Sequence, residues 1–269
     1  MDTIGFIGCG NMGGAIAKAV CRAVPPETVL LANRTPAKAQ ALAAQLGCRT
    51  GDNAAAAACD WVFLGVKPQM MADMLADVRP ALAAHPADRP PVLVSMAAGL
   101  TMAAIREMAG GDWPVIRILP NTPAGIGAGM TLYCTSGVSP AQQEAFLAMM
   151  APSGRMDAID EGLCDVAGCL TGCGPAWAYQ FIEALADGAV ACGLPRARAM
   201  EYAAQMLVGA GRMVLESGQH PGALKDAVCS PGGSTIQGVR VLEQRAMRGA
   251  VIDAMTAAYE KTKDMGKAK

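Results

Sequence analysis

The chain has 269 residues, 52% of them hydrophobic and 17% charged, with a formal net charge of −1. That composition builds packed cores and excludes a disordered protein, and the balanced charge without a basic stripe argues against a nucleic-acid surface. Mean hydropathy is +0.28, yet an apolar run such as Ala54 to Cys59 meets Asp60 well short of the ~20 residues that cross a bilayer, so no membrane association is expected.

The length suits one large domain or two modest ones. The first residues run straight into a strand-like segment without a basic stretch, so no secretory signal is expected. Ten cysteines are present beside only two histidines, and no CxxC pair occurs. No metal site is therefore expected; most of the thiols read as small core residues, and all are expected to be kept reduced in the cytoplasm.

The first part alternates strand and helix. Residues 3–8 (TIGFIG) predict a strand and 11–22 a helix; 28–33 (TVLLAN) a second strand, then a helix over 36–46. Residues 60–66 (DWVFLGV) predict a strand followed by a helix over 69–84. Strands at 91–96 and 114–119 follow, with a helix between them. Continuous apolar strands separated by helices predict an α/β fold, a doubly wound parallel Rossmann sheet over residues 1–160. Beyond that point no strand is expected. Helices are predicted over 175–192, 196–217 and 235–259, the last broken near Arg248, with Pro175, Pro195 and Pro221 at or just before helix starts. The 175–192 helix is apolar on most of its circumference. A helix of that kind is buried on more than one side, so residues 161–269 read as an all-helical domain that covers itself in a homo-oligomer.

Gly8-Cys9-Gly10-Asn11-Met12-Gly13 fits G-x-G-x-x-G between a predicted strand and a predicted helix, the context that gives the motif weight. The first glycine permits the tight turn, the second lets backbone approach a pyrophosphate, and the third lets helix and strand pack closely. The alternative is a glycine turn without a ligand. A carboxylate ~20 residues further on marks an NAD site; here the second strand ends in Asn33-Arg34. Arg34 offers a donor fork matched to a 2′-phosphate, and Lys38 adds charge. NADPH is expected, with NADH as the alternative carrier; otherwise Arg34 is a solvated surface charge. Ligands of open sheets lie at carboxyl strand ends, so Val66, Lys67 and Pro68, then Ala97, Ala98 and Gly99, then Asn121 are expected to line the cofactor. Lys67 reads equally as a catalytic acid, a phosphate neighbour or a surface lysine.

A second candidate site is Ser230-Pro231-Gly232-Gly233-Ser234-Thr235, before a helix-like run. Small hydroxyl residues and glycines there make a cap and an anion site, or a plain N-cap. The histidines offer little acid–base chemistry: His85 is expected to be exposed and His220 structural. A ketone reductase needs a strong general acid.

The chain resembles the pyrroline-5-carboxylate reductase family. The resemblance covers essentially its whole length: GFIGCGNMGGAI, VKPQ and RILPNTPAGIGAGM, then GPAWAYQFIEALADGAVACGLPR and ESGQHPGALKDAVCSPGGSTI. It implies a Rossmann domain followed by a helical dimerisation domain, dimers often assembled into a decamer, and reduction of 1-pyrroline-5-carboxylate to L-proline with NAD(P)H, the last step of proline biosynthesis. It also implies that Ser230, Gly232, Gly233, Ser234 and Thr235 hold the substrate carboxylate, with Thr235 catalytic beside the ring nitrogen. Glu161 would face the substrate and Asn53 the adenine ribose. The family's Ser-Gly-Ser-Gly-Pro-Ala is here Thr171-Gly172-Cys173-Gly174-Pro175-Ala176, and Gly168 stands where a threonine is common. Cys173 exchanges a strong hydrogen-bonding group for a weak one. Three other readings remain. A 3-hydroxyacid dehydrogenase needs a lysine on the inter-domain helix, and residues 174–192 have none. The remaining two are a reductase of a related six-membered cyclic imine and a non-catalytic nucleotide-binding homologue.

Overall fold

The structure, a computed structural model, describes residues 2–267. Eight strands form one sheet: β1 (Ile4–Ile7), β2 (Val29–Ala32), β3 (Arg49–Thr50), β4 (Trp61–Leu64), β5 (Val92–Ser95), β6 (Val115–Leu119), β7 (Gly129–Ser136) and β8 (Gly154–Ala158). Their order is β3-β2-β1-β4-β5-β6-β7-β8. All neighbours are parallel except β6 and β7, which pair antiparallel. Helices α1 (Asn11–Val20), α2 (Pro36–Leu46), α3 (Asn53–Ala57), α4 (Met71–Ala83), α5 (Met102–Ala109) and α6 (Pro140–Met150) connect them.

The sheet carries a separate core on each face. One unites Phe6, Ile16, Phe63 and Phe146 with α1, α2 and α6; the other unites Ile7, Leu64, Leu75 and Ile105 with α3, α4 and α5. Phe6 and Phe63 stack across β1 and β4 with ring centroids 4.4 Å apart. Burial on both sides is why these strands read as unbroken apolar runs. The predicted doubly wound sheet is present, but three strands escaped prediction. β3 is two residues long. β7 (GMTLYCTS) mixes glycine and hydroxyls without alternation, and β8 (GRMDA) is a mostly exposed edge strand with one large apolar residue.

One corner at the amino-terminal strand ends is pinned by charge. The Asp60 carboxylate accepts the backbone N–H and the hydroxyl of Thr3, each at 2.8 Å, and pairs with Arg89 at 2.9 Å. Partial burial opposes ionisation, but the Thr3 bonds and the positive charge of Arg89 and His85 outweigh it and hold the carboxyl below its ordinary range. A folded-state value below the unfolded one adds stability that is complete above about pH 4 and is lost as pH falls through the folded value. Asp60→Asn is therefore expected to narrow the difference in urea midpoint between pH 6 and pH 3; an unchanged difference would contradict this. His85, expected to be exposed, is half-buried instead, its Nε2 lying 3.1 Å from the carbonyl of Ala57.

Beyond β8 the chain is helical: α7 (Cys164–Ala191), α8 (Arg196–Ser217), α9 (Pro221–Val228), α10 (Ser234–Gln244) and α11 (Met247–Lys267). One predicted detail is corrected. Pro175 does not start a helix but lies inside α7, which begins eleven residues earlier. The break expected near Arg248 is present at Arg245 and Ala246, between α10 and α11, where Ala246 takes φ +54°; α11 then continues past Tyr259.

The chain divides into two compact units. The first comprises residues up to Cys173 together with the chain from Tyr259; the second is Gly174–Ala258. α7 therefore passes from one unit into the other. Within the second unit, Tyr179 is 58% exposed and Leu215 70%, and Met206, Val251 and Ile252 are exposed as well. All ten cysteines are unbridged. Cys9, Cys59, Cys134, Cys164 and Cys169 are buried as expected, whereas Cys21, Cys48, Cys173 and Cys229 are half-buried and Cys192 is exposed.

Candidate functional site

Between β1 and α1 the glycines do what the motif requires. Gly8 has φ +100°, a conformation that only glycine adopts without strain. A Cβ at Gly13 would lie 2.1 Å from the Gly8 carbonyl oxygen, so the helix packs on the turn through bare backbone. Gly10 is the N-cap of α1, and a Cβ there would meet nothing. No side chain caps this helix end. The first N–H groups of any helix lack intrahelical partners and carry the positive end of its dipole; here they open, over Gly10, on a space that backbone does not fill. Asn11 and Met12 form the first turn.

A fourth glycine belongs to the turn and escaped the sequence reading. Gly65 follows β4, and its N–H donates to Ile7 O at 2.8 Å. A Cβ there would stand 2.3 Å from Gly8 O. The FLGV string was its signal, a glycine at the end of the strand next to β1.

Beyond β2, Asn33 braces the turn from outside. Its Oδ1 accepts the Cys9 N–H and its Nδ2 donates to Thr35 O, both at 3.1 Å. Asn33 thus ties the glycine turn to the segment that carries Arg34, rather than presenting a free amide. Cys9 is buried, its thiol directed to Ala32 O and pushed up to about 11 by that burial. Arg34 is exposed, with Nη1 3.9 Å from Met70 Sδ. Arg34 and Asn33 line a pocket of about 550 Å³ whose other side is Asp52, Asn53, Asp77 and Val78. The structure thereby brings together Asn33 and Arg34, after β2, with Asn53, after β3, all three singled out from sequence; Asp77, on α4, was missed.

Since β1, β2, β4, β5 and β6 run parallel, their following loops share one edge of the sheet. Val66, Lys67 and Pro68 follow β4, with Lys67 exposed. Ala97, Ala98 and Gly99 follow β5, Gly99 in the left-handed region at φ +73°. Asn121 follows β6 but is buried, with both ends of its amide bonded to protein: Nδ2 donates to Thr171 O and Oδ1 accepts Met130 N–H, each at 3.1 Å.

Glu161 is likewise engaged. Its Oε1 accepts the N–H of Met102, the first residue of α5, at 2.7 Å, and lies 3.7 Å from Arg117 Nη1. Arg117, on β6 with its side chain 3% exposed, also donates to Asp165 Oδ1 at 2.7 Å. Beside it Cys134 and Cys164 place their sulfurs 3.6 Å apart. The bond from Cys134, helped by the charge of Arg117, lowers the Cys164 thiol. No sequence pattern marked Arg117; a lone arginine inside an otherwise apolar strand (VIRIL) was the available hint.

In the second unit, α10 begins with a cradle. Gly232 has φ +71°, Gly233 is the N-cap, and the Gly233 N–H donates to Ser230 O at 3.0 Å. A Cβ at Gly233 would meet Ser230 Oγ at 2.4 Å. Ser234 and Thr235 occupy the exposed first turn, and no side chain caps it. Geometrically this repeats the α1 start: unpartnered helix N–H groups reached over glycine. His220, by contrast, caps α9 by accepting the Gly222 N–H on Nδ1 at 3.0 Å, the structural role expected of it.

Comparison with known proteins now bears on these two helix starts. Residues 161–265 match the family model for pyrroline-5-carboxylate reductase dimerisation. Residues 3–99 match that for NADP oxidoreductase, coenzyme F420-dependent. The pyrroline-5-carboxylate reductase of Escherichia coli is 41% identical, with 98% of each chain covered. The chain belongs to the pyrroline-5-carboxylate reductase family. The pea (Pisum sativum) reductase is 36% identical over 98% of this chain and 96% of its own. Among solved structures, the Plasmodium falciparum enzyme, crystallised with NADP bound, superimposes with a TM-score of 0.87 at 30% identity, and the Streptococcus pyogenes enzyme with 0.86 at 31%; each covers 98% of both chains. The reductase-family fold thus extends through both units, and the C-terminal helices are the family's dimerisation region.

Proposed function

We propose that this family member reduces the C=N bond of 1-pyrroline-5-carboxylate to L-proline, the last step of proline biosynthesis, with NADPH. The observation that carries the reading is the presence in one reductase-family chain of two uncapped helix starts reached over glycine, at Gly10 and at Gly233. NADPH, when bound, supplies the hydride.

The chain's own residues do the rest. The α1 N–H groups over Gly10 would hold the pyrophosphate, and Arg34 the 2′-phosphate beside the pocket it lines with Asn53. Val66, Lys67, Pro68, Ala97, Ala98 and Gly99 line the same sheet edge. The N–H groups of Ser234 and Thr235 would hold the substrate carboxylate, with Ser230, Gly232 and Gly233 shaping the turn. The Thr235 hydroxyl would lie at the ring nitrogen and steady the amine as hydride arrives at carbon. Glu161 acts through its grip on the start of α5, directly after the Ala97–Gly99 loop. Because the iminium carbon is electrophilic already, holding donor and acceptor at attack distance accounts for most of the rate, up to ~7–11 kcal/mol in ideal cases.

The exposed apolar side chains of the second unit, on a region matching a dimerisation model, support a homodimer through these helices, and further assembly into a decamer is part of the proposal. Among the described residues no helix is long and apolar enough to cross a membrane; the proposed compartment is the cytoplasm, where the ten thiols stay reduced.

The test is NADPH oxidation by the purified protein with pyrroline-5-carboxylate beside its six-membered analogue. Consumption of the five-membered imine is expected to dominate, and consumption of neither would overturn the enzymatic reading. Thr235→Ala is expected to lower kcat about tenfold, the scale of one lost hydrogen bond to a charged group, with NADPH Kd unchanged. An unaltered kcat would remove the hydroxyl from the reaction.

A further inference from the structure

Pro175 lies inside α7 and has no N–H to give. In an unbroken helix the N–H of residue 175 would donate to the carbonyl of Thr171; that carbonyl therefore needs another donor. Asn121 supplies it. Its Nδ2 stands 3.1 Å from Thr171 O, and its Oδ1 receives the Met130 N–H at the same distance. The orientation of the amide is unambiguous, because the Met130 N–H can only donate and the Thr171 carbonyl can only accept. Asn121 is 7% exposed, so these bonds are sheltered from competing water.

The place of this contact in the chain matters. The first compact unit ends at Cys173, two residues beyond Thr171 and two before Pro175. On either side, Gly172 and Gly174 have no neighbour within 4 Å of where a Cβ would be. The turn is bonded by the Thr171 hydroxyl, which donates to Ala167 O at 3.1 Å, and by the Asn121 amide.

We infer that Asn121 is a positioning residue: it clasps the carbonyl freed by Pro175 and so fixes the 171–175 turn of α7. Asn121 does not act as a cofactor ligand. The kinetic part of this inference rests on the proposed function; the structural part does not.

The test is a double-mutant cycle in the full-length protein, with Asn121→Ala, Pro175→Ala and the pair, read by Tm, kcat and NADPH Kd. Asn121→Ala is expected to lower Tm and to lower kcat about tenfold while NADPH Kd stays within twofold. In the pair, residue 175 regains an N–H and closes the bond to Thr171, so the share of the Tm and kcat loss that comes from the Thr171 carbonyl is recovered beyond the effect of Pro175→Ala alone, while the share from the Met130 N–H remains. If Asn121→Ala does not fold, soluble protein should return with the pair. Strict additivity, failure of the pair to restore folding, or a tenfold rise in NADPH Kd at unchanged Tm would overturn the clasp. Should the wild type reduce no imine, the function falls, while the Tm cycle still decides the clasp.

Discussion

Replacing Glu161 and Asp165 together by alanine is expected to cost about 3–5 kcal/mol of folding stability, the scale for leaving a buried charge without its partners. The reason is Arg117. Its side chain is 3% exposed, and both its ion pairs go to these two carboxylates. Its Nε already lacks a hydrogen-bond partner. Guanidinium does not shed its proton in proteins, so the double variant strands a cation between β6, β7 and the start of α7. Glu161→Ala alone also uncovers the Met102 N–H at the start of α5. A domain is stable by only about 5–15 kcal/mol, so much of the margin disappears, and the urea midpoint should fall with it. Adding Arg117→Met to the double variant should return part of the loss, because it removes the stranded charge. An unfolding free energy within about 1 kcal/mol of wild type would show that Arg117 is hydrated, contrary to its burial.

Arg34→Ala is expected to weaken NADPH roughly 10–100-fold and to leave NADH binding unchanged, the scale of one or two charge-assisted hydrogen bonds. Arg34 is exposed, lies beside Met70 and lines the same pocket as Asn33 and Asn53. Asn33 is committed to Cys9 and Thr35, which leaves the guanidinium as the strand-end group with donors to spare. The difference between wild type and variant should shrink as salt rises, since the contact is near the surface. Equal loss of NADPH and NADH, measured by fluorescence titration, would mean that Arg34 contacts a part common to both cofactors and does not select between them.

Much of the candidate site was legible because its signals are local. Gly8, Gly10 and Gly13 report backbone conformations and close approaches that few other residues permit, and they stand between apolar runs whose period marks strand and helix. Ser230 to Thr235 was legible for the same reason. Asn33 and Asn121 were singled out for the cofactor, and the structure bonds both amides to protein partners that were not foreseeable. An asparagine at a strand end offers the same donors and acceptor to a ligand or to protein, and only the neighbouring chain decides which takes them.

What lies in the one-dimensional string is thus the alternation of elements, the two glycine-guarded helix starts and the family. Each depends on residues adjacent along the chain or a turn apart, whose conformational preferences act without knowledge of the rest. Tertiary structure alone decided that Gly65 packs against Gly8, that Arg117 meets Glu161 and Asp165, that β7 runs against β6, and that Pro175 sits within α7 with Asn121 completing its hydrogen bonds. These depend on groups dozens of residues apart, and their energy arises from desolvation and pairing after the chain has closed on itself. No periodicity or spacing records that step.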